Sequence, residues 1–141
     1  MKKIGSTIIS VAVFIVAAFG AKYLLQSILS DGEEFNDQVL MEAASELNST
    51  APTMVDSETR LDSATASNNT FIYKYTLINY QKEDLDIEQV RNTIFPGIAR
   101  GVCTTPELQV FREHGTTMKY NYYDLDGDFI LSMEKDTKEC P

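Results

Sequence analysis

The chain has 141 residues, with 12 Lys and Arg against 21 Asp and Glu and a formal net charge of −9. This length fits one compact domain plus an extra segment and is too short for two ordinary domains. Nucleic acids are bound mainly through basic patches that contact phosphates, so the acidic balance excludes nucleic acid as an expected partner.

The start of the chain has the pattern of an export signal. Two lysines precede an uncharged run over residues 4–21, and apolar residues continue beyond it. Because the run is longer than the apolar core of a cleaved signal, residues 1–29 are predicted to be a signal anchor that binds the membrane through residues 4–29. The alternative is a signal peptide cleaved near Gly20, where small residues suit a signal peptidase.

The charge around this segment predicts its orientation. Lysines precede it, whereas acidic residues follow it from Asp31 onward. The positive-inside rule then leaves the N-terminus in the cytoplasm and residues 30–141 across the membrane. The expected location is a single pass in the inner membrane with a periplasmic domain, or secretion if the signal is cleaved.

Two cysteines fit that compartment. Cys103 and Cys140 are the only cysteines in the chain. A pair in an exported domain is predicted to form a disulfide, which would stabilise the fold by ~3–4 kcal/mol in the chain-entropy model. Two buried thiols are the alternative. No metal site is expected, because two cysteines without C-x-x-C spacing and the single His114 do not make a four-ligand cage.

Periodicity predicts the first half of the domain. Apolar residues recur every four positions over residues 33–48, which predicts an amphipathic helix. A polar strand is predicted over 59–66. The alternating segment 70–80 is the strongest strand signal, and Asn68 and Asn69 favour a turn between the two strands.

Capping signals and turn residues predict the second half. A helix is expected to begin after Asp84 or Asp86 and to kink or divide at Pro96-Gly97. Another is expected to begin at Thr104 or Thr105 and to end at Gly115. Two further β-prone runs flank an Asp-Gly pair, which predicts a hairpin. The predicted fold is α+β, in the order α-β-β-α-α-β-β, with helices on one face of an antiparallel sheet of about four strands.

Tyrosines are concentrated in these strands. Alternation puts Tyr73 and Tyr75 on one face of their strand, and Tyr120 and Tyr122 alternate in the same way in a later strand. Tyrosines on an open sheet face without basic residues suit protein recognition, so these four are predicted as a surface that binds a protein or peptide. Packing in the core is the alternative.

Motifs for catalysis are not found. The acidic segment 124–128 lacks the glycine and glutamate positions of an EF-hand and is expected to be an ordinary turn. There is no nucleophile elbow or glycine-rich phosphate loop, so no enzyme activity and no cofactor are expected. A hydrolase with a pair of carboxylates stays as an alternative.

A set of short motifs lies within about residues 53–140: Arg60-Leu61-Asp62, the strand 71–79, Cys103-Thr-Thr-Pro-Glu-Leu108, Gly115, Tyr120-Asn-Tyr122 and Asp126-Gly127. This set resembles small exported bacterial proteins of uncharacterised function, which look like a signal or anchor segment followed by a compact domain with two cysteines. The resemblance implies an envelope context and no activity, so the predicted function is a membrane-tethered, extracytoplasmic binding or accessory module. A pilin-like structural subunit is a further alternative, although residues 31–32 interrupt the long helix typical of pilins.

Overall fold

The structure, a computed structural model, describes residues 35–141. The predicted anchor at residues 4–29 and the alternative cleavage site near Gly20 lie outside the described residues. Within residues 35–141, no helix combines the length and the apolar character needed to cross a membrane.

The first helix, α1, is Asp37–Thr50. Its N-terminus is capped by Asn36, whose Oδ1 accepts a hydrogen bond from the backbone N–H of Val39 at 3.0 Å. The predicted amphipathic helix is confirmed, with both ends shifted toward the C-terminus. Its apolar stripe is buried and consists of Val39, Leu40, Ala43, Ala44 and Leu47.

The long second helix, α2, is Ile87–Thr104 and begins at the N-cap Asp86. It runs through Pro96, so the predicted division into two helices did not occur. Pro96 and Asn92 are both exposed, and water can therefore bond the carbonyl that proline leaves without a donor. The buried stripe recurs every four residues at Val90, Ile94, Ile98 and Val102.

Short helices complete this layer. A 3₁₀ turn at Pro106–Leu108 leads into α3, Gln109–Glu113, and the chain leaves α3 through Gly115, whose φ is +63°. Further 3₁₀ turns lie at Lys82–Asp84 and Thr137–Glu139.

The strands form one five-stranded sheet with the order β1-β2-β3-β4-β5. Strands β3 and β4 are parallel, and the other neighbours are antiparallel. The α+β class is confirmed, but the prediction of a wholly antiparallel sheet of about four strands is wrong. The strands are β1 (Thr53–Met54), β2 (Thr59–Ser67), β3 (Thr70–Leu77), β4 (Thr117–Tyr123) and β5 (Phe129–Asp136).

The connection between β3 and β4 explains the parallel pair. Residues 78–116 contain both α2 and α3, and they return the chain to the starting end of the neighbouring strand. A helical crossover of this kind joins parallel strands, whereas a short turn joins antiparallel ones. The extra strand β1 has only two residues, which is too short to leave a propensity signal.

The two faces of the sheet differ in what lies against them. We call one the covered face: its side chains and the buried stripes of α1 and α2 belong to a single hydrophobic core. The opposite side is the open face, on which Ile72, Lys119 and Asn121 are half-buried and Lys74 is exposed. The covered face comprises Leu61, Ala64, Ala66, Phe71, Tyr73, Tyr75, Leu77, Met118, Tyr120, Tyr122, Leu131 and Met133.

Side chains from the helices cover backbone groups at both edges of the sheet. Past the short β1, the carboxamide of Asn48 in α1 pairs with Ala64, accepting from its N–H at 2.7 Å and donating to its C=O at 2.8 Å. At the other edge, Arg91 of α2 donates to the carbonyl of Ser132 at 3.1 Å. These contacts occupy groups that could otherwise pair with a strand of another molecule.

The disulfide Cys103–Cys140 is confirmed, with the two Cα atoms 5.3 Å apart. It joins the last turn of α2 to the residue that follows the final 3₁₀ turn. The bond therefore attaches the helical layer to the C-terminal end of the sheet.

Candidate protein-binding site

The four tyrosines predicted as a binding surface lie in the core. Tyr73, Tyr75, Tyr120 and Tyr122, which we call the tyrosine quartet, are each 0% exposed. The alternation correctly put them on one face, but that face is covered by the helices, so the prediction of an exposed surface is wrong. Tyrosine rings bury large apolar areas, and this makes them suitable core residues.

Burial also fixes the charge state of the quartet. Desolvation disfavours a phenolate and raises the pKa of all four hydroxyls well above the ordinary value of 10. The quartet is therefore neutral near pH 7.

The open face carries a row of side chains that crosses all five strands. Strand register puts Met54 opposite Arg60, Arg60 opposite Thr76, Thr76 opposite Tyr123, and Tyr123 opposite Phe129. Directly opposed residues project to the same side of a sheet. We call these five residues the open-face row. Two of its members are strongly exposed, Met54 at 45% and Phe129 at 46%.

Aromatic and cationic groups meet at one end of the row. The rings of Tyr123 and Phe129 pack edge to face, with centroids 5.6 Å apart and planes at 74°. The Nζ atom of Lys74 lies 4.7 Å from the centroid of Tyr123, within the range of a cation–π contact. Tyr123 is thereby held between an exposed ring and an exposed cation.

The centre of the row is organised by one carboxylate. Asp62 lies at the β-bulge of β2, where its Oδ1 is 2.6 Å from Nε of Arg60 and its Oδ2 accepts a hydrogen bond from the Thr76 hydroxyl. Among the side chains that the structure describes, this is the only ion pair. The pair orients the arginine on the open face, two strands away from Tyr123.

The hairpin after β4 positions Phe129 and the exposed Leu125. The buried carboxylate of Asp124 accepts backbone N–H groups from Lys82, Asp126 and Asp128 at 2.8–2.9 Å. The Lys82 contact is the main reason why the pKa of Asp124 is lowered from 3.8. The acidic segment 124–128 is therefore a structural turn, as predicted. The carboxylate of Asp124 is occupied by backbone donors.

His114 has a structural contact at the far end of the sheet. Its ring stacks on Phe35 with centroids 4.0 Å apart and planes at 3°, and its backbone carbonyl accepts from the side chain of Asn69. In the same region the carboxylate of Asp37 accepts hydrogen bonds from the backbone N–H groups of Asn68 and Asn69. These contacts connect α1, the β2–β3 turn and α3.

The open-face row offers apolar contact, an aromatic edge and a fixed cation on one surface, which is the composition of a protein-binding site. Sequence reasoning missed it because alternation separated Tyr123 from Tyr122, but the face of the quartet was taken to be the exposed one. The available signal was alternation: Tyr123 is one position out of phase with the quartet, as is Lys74 in β3.

Solved structures show the same fold at low sequence identity. A candidate secreted protein from Pseudomonas aeruginosa is 13% identical with a TM-score of 0.64, over 74% of this chain and 92% of that one. The pilotin EpsS of the Vibrio vulnificus type 2 secretion system is 11% identical, with a TM-score of 0.60 and coverage of 74% and 91%. The type II secretion system pilotin AspS from Vibrio cholerae is 14% identical, with a TM-score of 0.55 and the same coverage.

No curated protein matches the chain. A family profile, described as a domain of unknown function (DUF8479), matches residues 34–131. That range contains α1, all of the sheet up to the middle of β5, and the complete open-face row. The chain belongs to this family, DUF8479.

Proposed function

We propose that the chain is an extracytoplasmic accessory module of the bacterial envelope, tethered through residues 4–29, whose domain binds a protein partner and catalyses no reaction. The observation that carries this proposal is the open-face row, which has exposed Met54 at one end and, at the other, exposed Phe129 packed on Tyr123 beside the Lys74 cation. A surface of this kind is suited to contact with another protein.

The disulfide supports location outside the cytoplasm. Bonds such as Cys103–Cys140 persist in oxidising compartments and are rare in the reducing cytosol. The charge pattern of the N-terminal segment favours the same side of the membrane.

The fold supports an accessory role within the envelope. Two proteins of similar fold are pilotins of type II secretion systems, and a third is a candidate secreted protein. At 11–14% identity the likeness concerns the fold alone. We therefore extend to this chain the idea of an envelope accessory protein, and leave its partner to be identified by experiment.

The carboxylate-dependent hydrolase has less support. Asp124, a fully buried carboxylate, already accepts three backbone N–H groups and has no role left as an acid or base. The raised pKa values of the quartet belong to tyrosines that solvent does not reach.

Site-specific photocrosslinking tests the proposal. Benzoylphenylalanine replaces Phe129 in the full-length chain, and the adducts formed in the native envelope are identified by mass spectrometry. The matched control places the same group at Met41, an exposed apolar residue of α1 at 55% exposure. We expect a discrete protein adduct from position 129 and none of the same mass from position 41.

Two outcomes would contradict the proposal. Equal, heterogeneous adducts from both positions would mean that the open face has no specific partner. Recovery of the intact chain in the cytosol, with Cys103 and Cys140 reduced, would remove the extracytoplasmic location.

A further inference from the structure

The tyrosine quartet forms a regular array in the core. The in-register parallel strands pair Tyr73 with Tyr120 and Tyr75 with Tyr122. Ring centroids are 5.1 and 5.3 Å apart within these pairs, and 5.9 Å apart between Tyr73 and Tyr75 along β3. The planes in these contacts differ by 20–26°, so the four rings stand nearly parallel.

The hydroxyl groups of the quartet have no protein partner. All four Oη atoms are buried, and none makes a hydrogen bond within the part of the chain that the structure describes. Buried polar groups in folded proteins are almost always bonded, either to protein or to ordered water. Phenylalanine would fill the same volume without this requirement, and Phe71 does so one step along the covered face.

Further polar atoms without partners continue from one end of the array. Thr59 pairs with Leu77, two residues beyond Tyr75 on the covered face, and its buried Oγ1 has no partner among the described residues. The same holds for Oδ2 of Asp56, whose other oxygen accepts from two backbone N–H groups. Asp56 is close enough to contribute to the raised pKa of Tyr122.

We infer that the core holds a cluster of bound water molecules, which bridge the hydroxyls of the quartet and end at the carboxylate of Asp56. Within each pair the residues are directly opposed and their rings nearly parallel, so we expect the two hydroxyls to lie about as far apart as the centroids. Two hydrogen bonds of about 2.8 Å through one oxygen span up to about 5.6 Å. The 5.1 and 5.3 Å pair spacings fall within that span, whereas a direct hydroxyl–hydroxyl bond does not reach it.

The polarity of the site fits water rather than an ion. Each neutral phenol can donate one bond and accept another, and water can do both, so one bridging water can bond both hydroxyls of a pair. The carboxylate accepts only, which makes it the natural end of the chain of donors. A buried water needs about two to four polar partners, and the two hydroxyls of a pair supply two of them.

Tyrosine-to-phenylalanine variants of the full-length chain in detergent micelles test this inference. Tyr75→Phe and Tyr122→Phe each remove one oxygen and keep the ring. If the hydroxyls bind water, each variant lowers the folding equilibrium constant by about threefold to tenfold, the effect of one ordinary hydrogen bond. If the core is dry, removing an unbonded hydroxyl raises the constant instead.

Water itself is measured by NMR in the same samples. We expect long-lived water–protein Overhauser contacts at the quartet hydroxyls, and fewer of them in the Tyr75→Phe, Tyr122→Phe double variant. Tyr123→Phe, on the open face, is the matched control and should change neither the folding constant nor these contacts. A higher folding constant in the core variants, or identical water contacts in wild type and double variant, would overturn the inference.

Discussion

Tyr122 and Tyr123 are neighbours in the chain and lie on opposite faces of the same strand. Tyr122 is fully buried beneath the helical layer, whereas Tyr123 is half-buried on the open face beside Lys74 and Phe129. The residue type is the same, so the difference comes from what packs against each face. Tyrosine stabilises the core on one side and is available for recognition on the other.

The two faces are therefore expected to affect different properties: the covered face affects stability, and the open face affects partner binding. Substitutions on the covered face should change the free energy of unfolding, because each buried ring contacts the core. Substitutions of the exposed and half-buried members of the open-face row, unlike the buried Thr76, should change partner binding and leave unfolding nearly unaffected. The predictions below test that separation, starting with the largest expected effect.

Alkaline pH should unfold the domain steeply through the covered face. The folded pKa of each quartet tyrosine is raised above the ordinary value of 10, so the folded state holds protons that the unfolded chain releases. Their contribution to stability is complete below pH 10 and is lost as pH rises toward the folded pKa. Four tyrosines at about 1.4 kcal/mol per pH unit each give a loss of about 5 kcal/mol per unit above pH 10.

Denaturant unfolding at a series of pH values measures this slope, and tyrosinate absorbance reports ionisation. Tyr122→Phe removes one of the four titrating groups and should reduce the slope by about 1.4 kcal/mol per pH unit. A free energy of unfolding that stays level from pH 9 to pH 11 would contradict the buried quartet.

Truncation of single tyrosines gives the next largest contrast. Tyr75→Ala removes a fully buried ring from the centre of the core and should reduce the free energy of unfolding by about 3–5 kcal/mol. Tyr123→Ala removes a half-buried ring from the open face and should cost less than about 1 kcal/mol. Equal losses in urea unfolding would show that the two faces do not differ in the way described.

The disulfide attaches the helical layer that covers the quartet. Cys103→Ser with Cys140→Ser should lower the free energy of unfolding by about 2–4 kcal/mol, since the reduced chain loses a cross-link between α2 and the C-terminus. Wild type measured with reductant should fall by the same amount. A double variant as stable as the oxidised wild type would show that packing alone holds α2 in place.

Local sequence patterns predicted the helices and strands. The errors concerned the pairing of strands that lie far apart in the chain. The four-residue spacing of Val90, Ile94 and Ile98 is a property of α2 alone, and it was sufficient to identify the helix. The alternation of Tyr73 and Tyr75 likewise identified a strand. The parallel pairing of β3 with β4 depends on how residues 78–116 return the chain, and no local pattern encodes that path.

The candidate site was missed for a related reason. Alternation states which residues share a face and leaves open which face the helices cover. Tyrosine is compatible with both environments, because its ring is apolar and its hydroxyl is polar. Ile72 and Lys74 share the open face, so hydrophobicity alone gave an ambiguous assignment.

A smaller effect is expected at the sheet edge. Asn48→Ala removes both hydrogen bonds to the backbone of Ala64 and should cost about 1–2 kcal/mol in the free energy of unfolding. It should also promote dimers through the exposed edge of β2, visible by analytical ultracentrifugation. Gln38→Ala, at an exposed position of the same helix, is the control, and equal behaviour of the two variants would show that Asn48 does not protect the edge.

The smallest expected effect is the coupling between Lys74 and Tyr123. An exposed cation–π contact contributes about 0.5–1 kcal/mol, so a double-mutant cycle with Lys74→Gln and Tyr123→Leu should give a coupling energy in that range. A full cycle is needed because each single variant also changes the burial of its own site. Subtracting the two single-variant effects leaves the energy of the contact. A coupling near zero would mean that Phe129 alone orients the Tyr123 ring. Lys74 would then contribute its charge to partner binding without holding the site together, and the Lys74→Gln variant would weaken the crosslink from position 129 while leaving the unfolding curve unchanged.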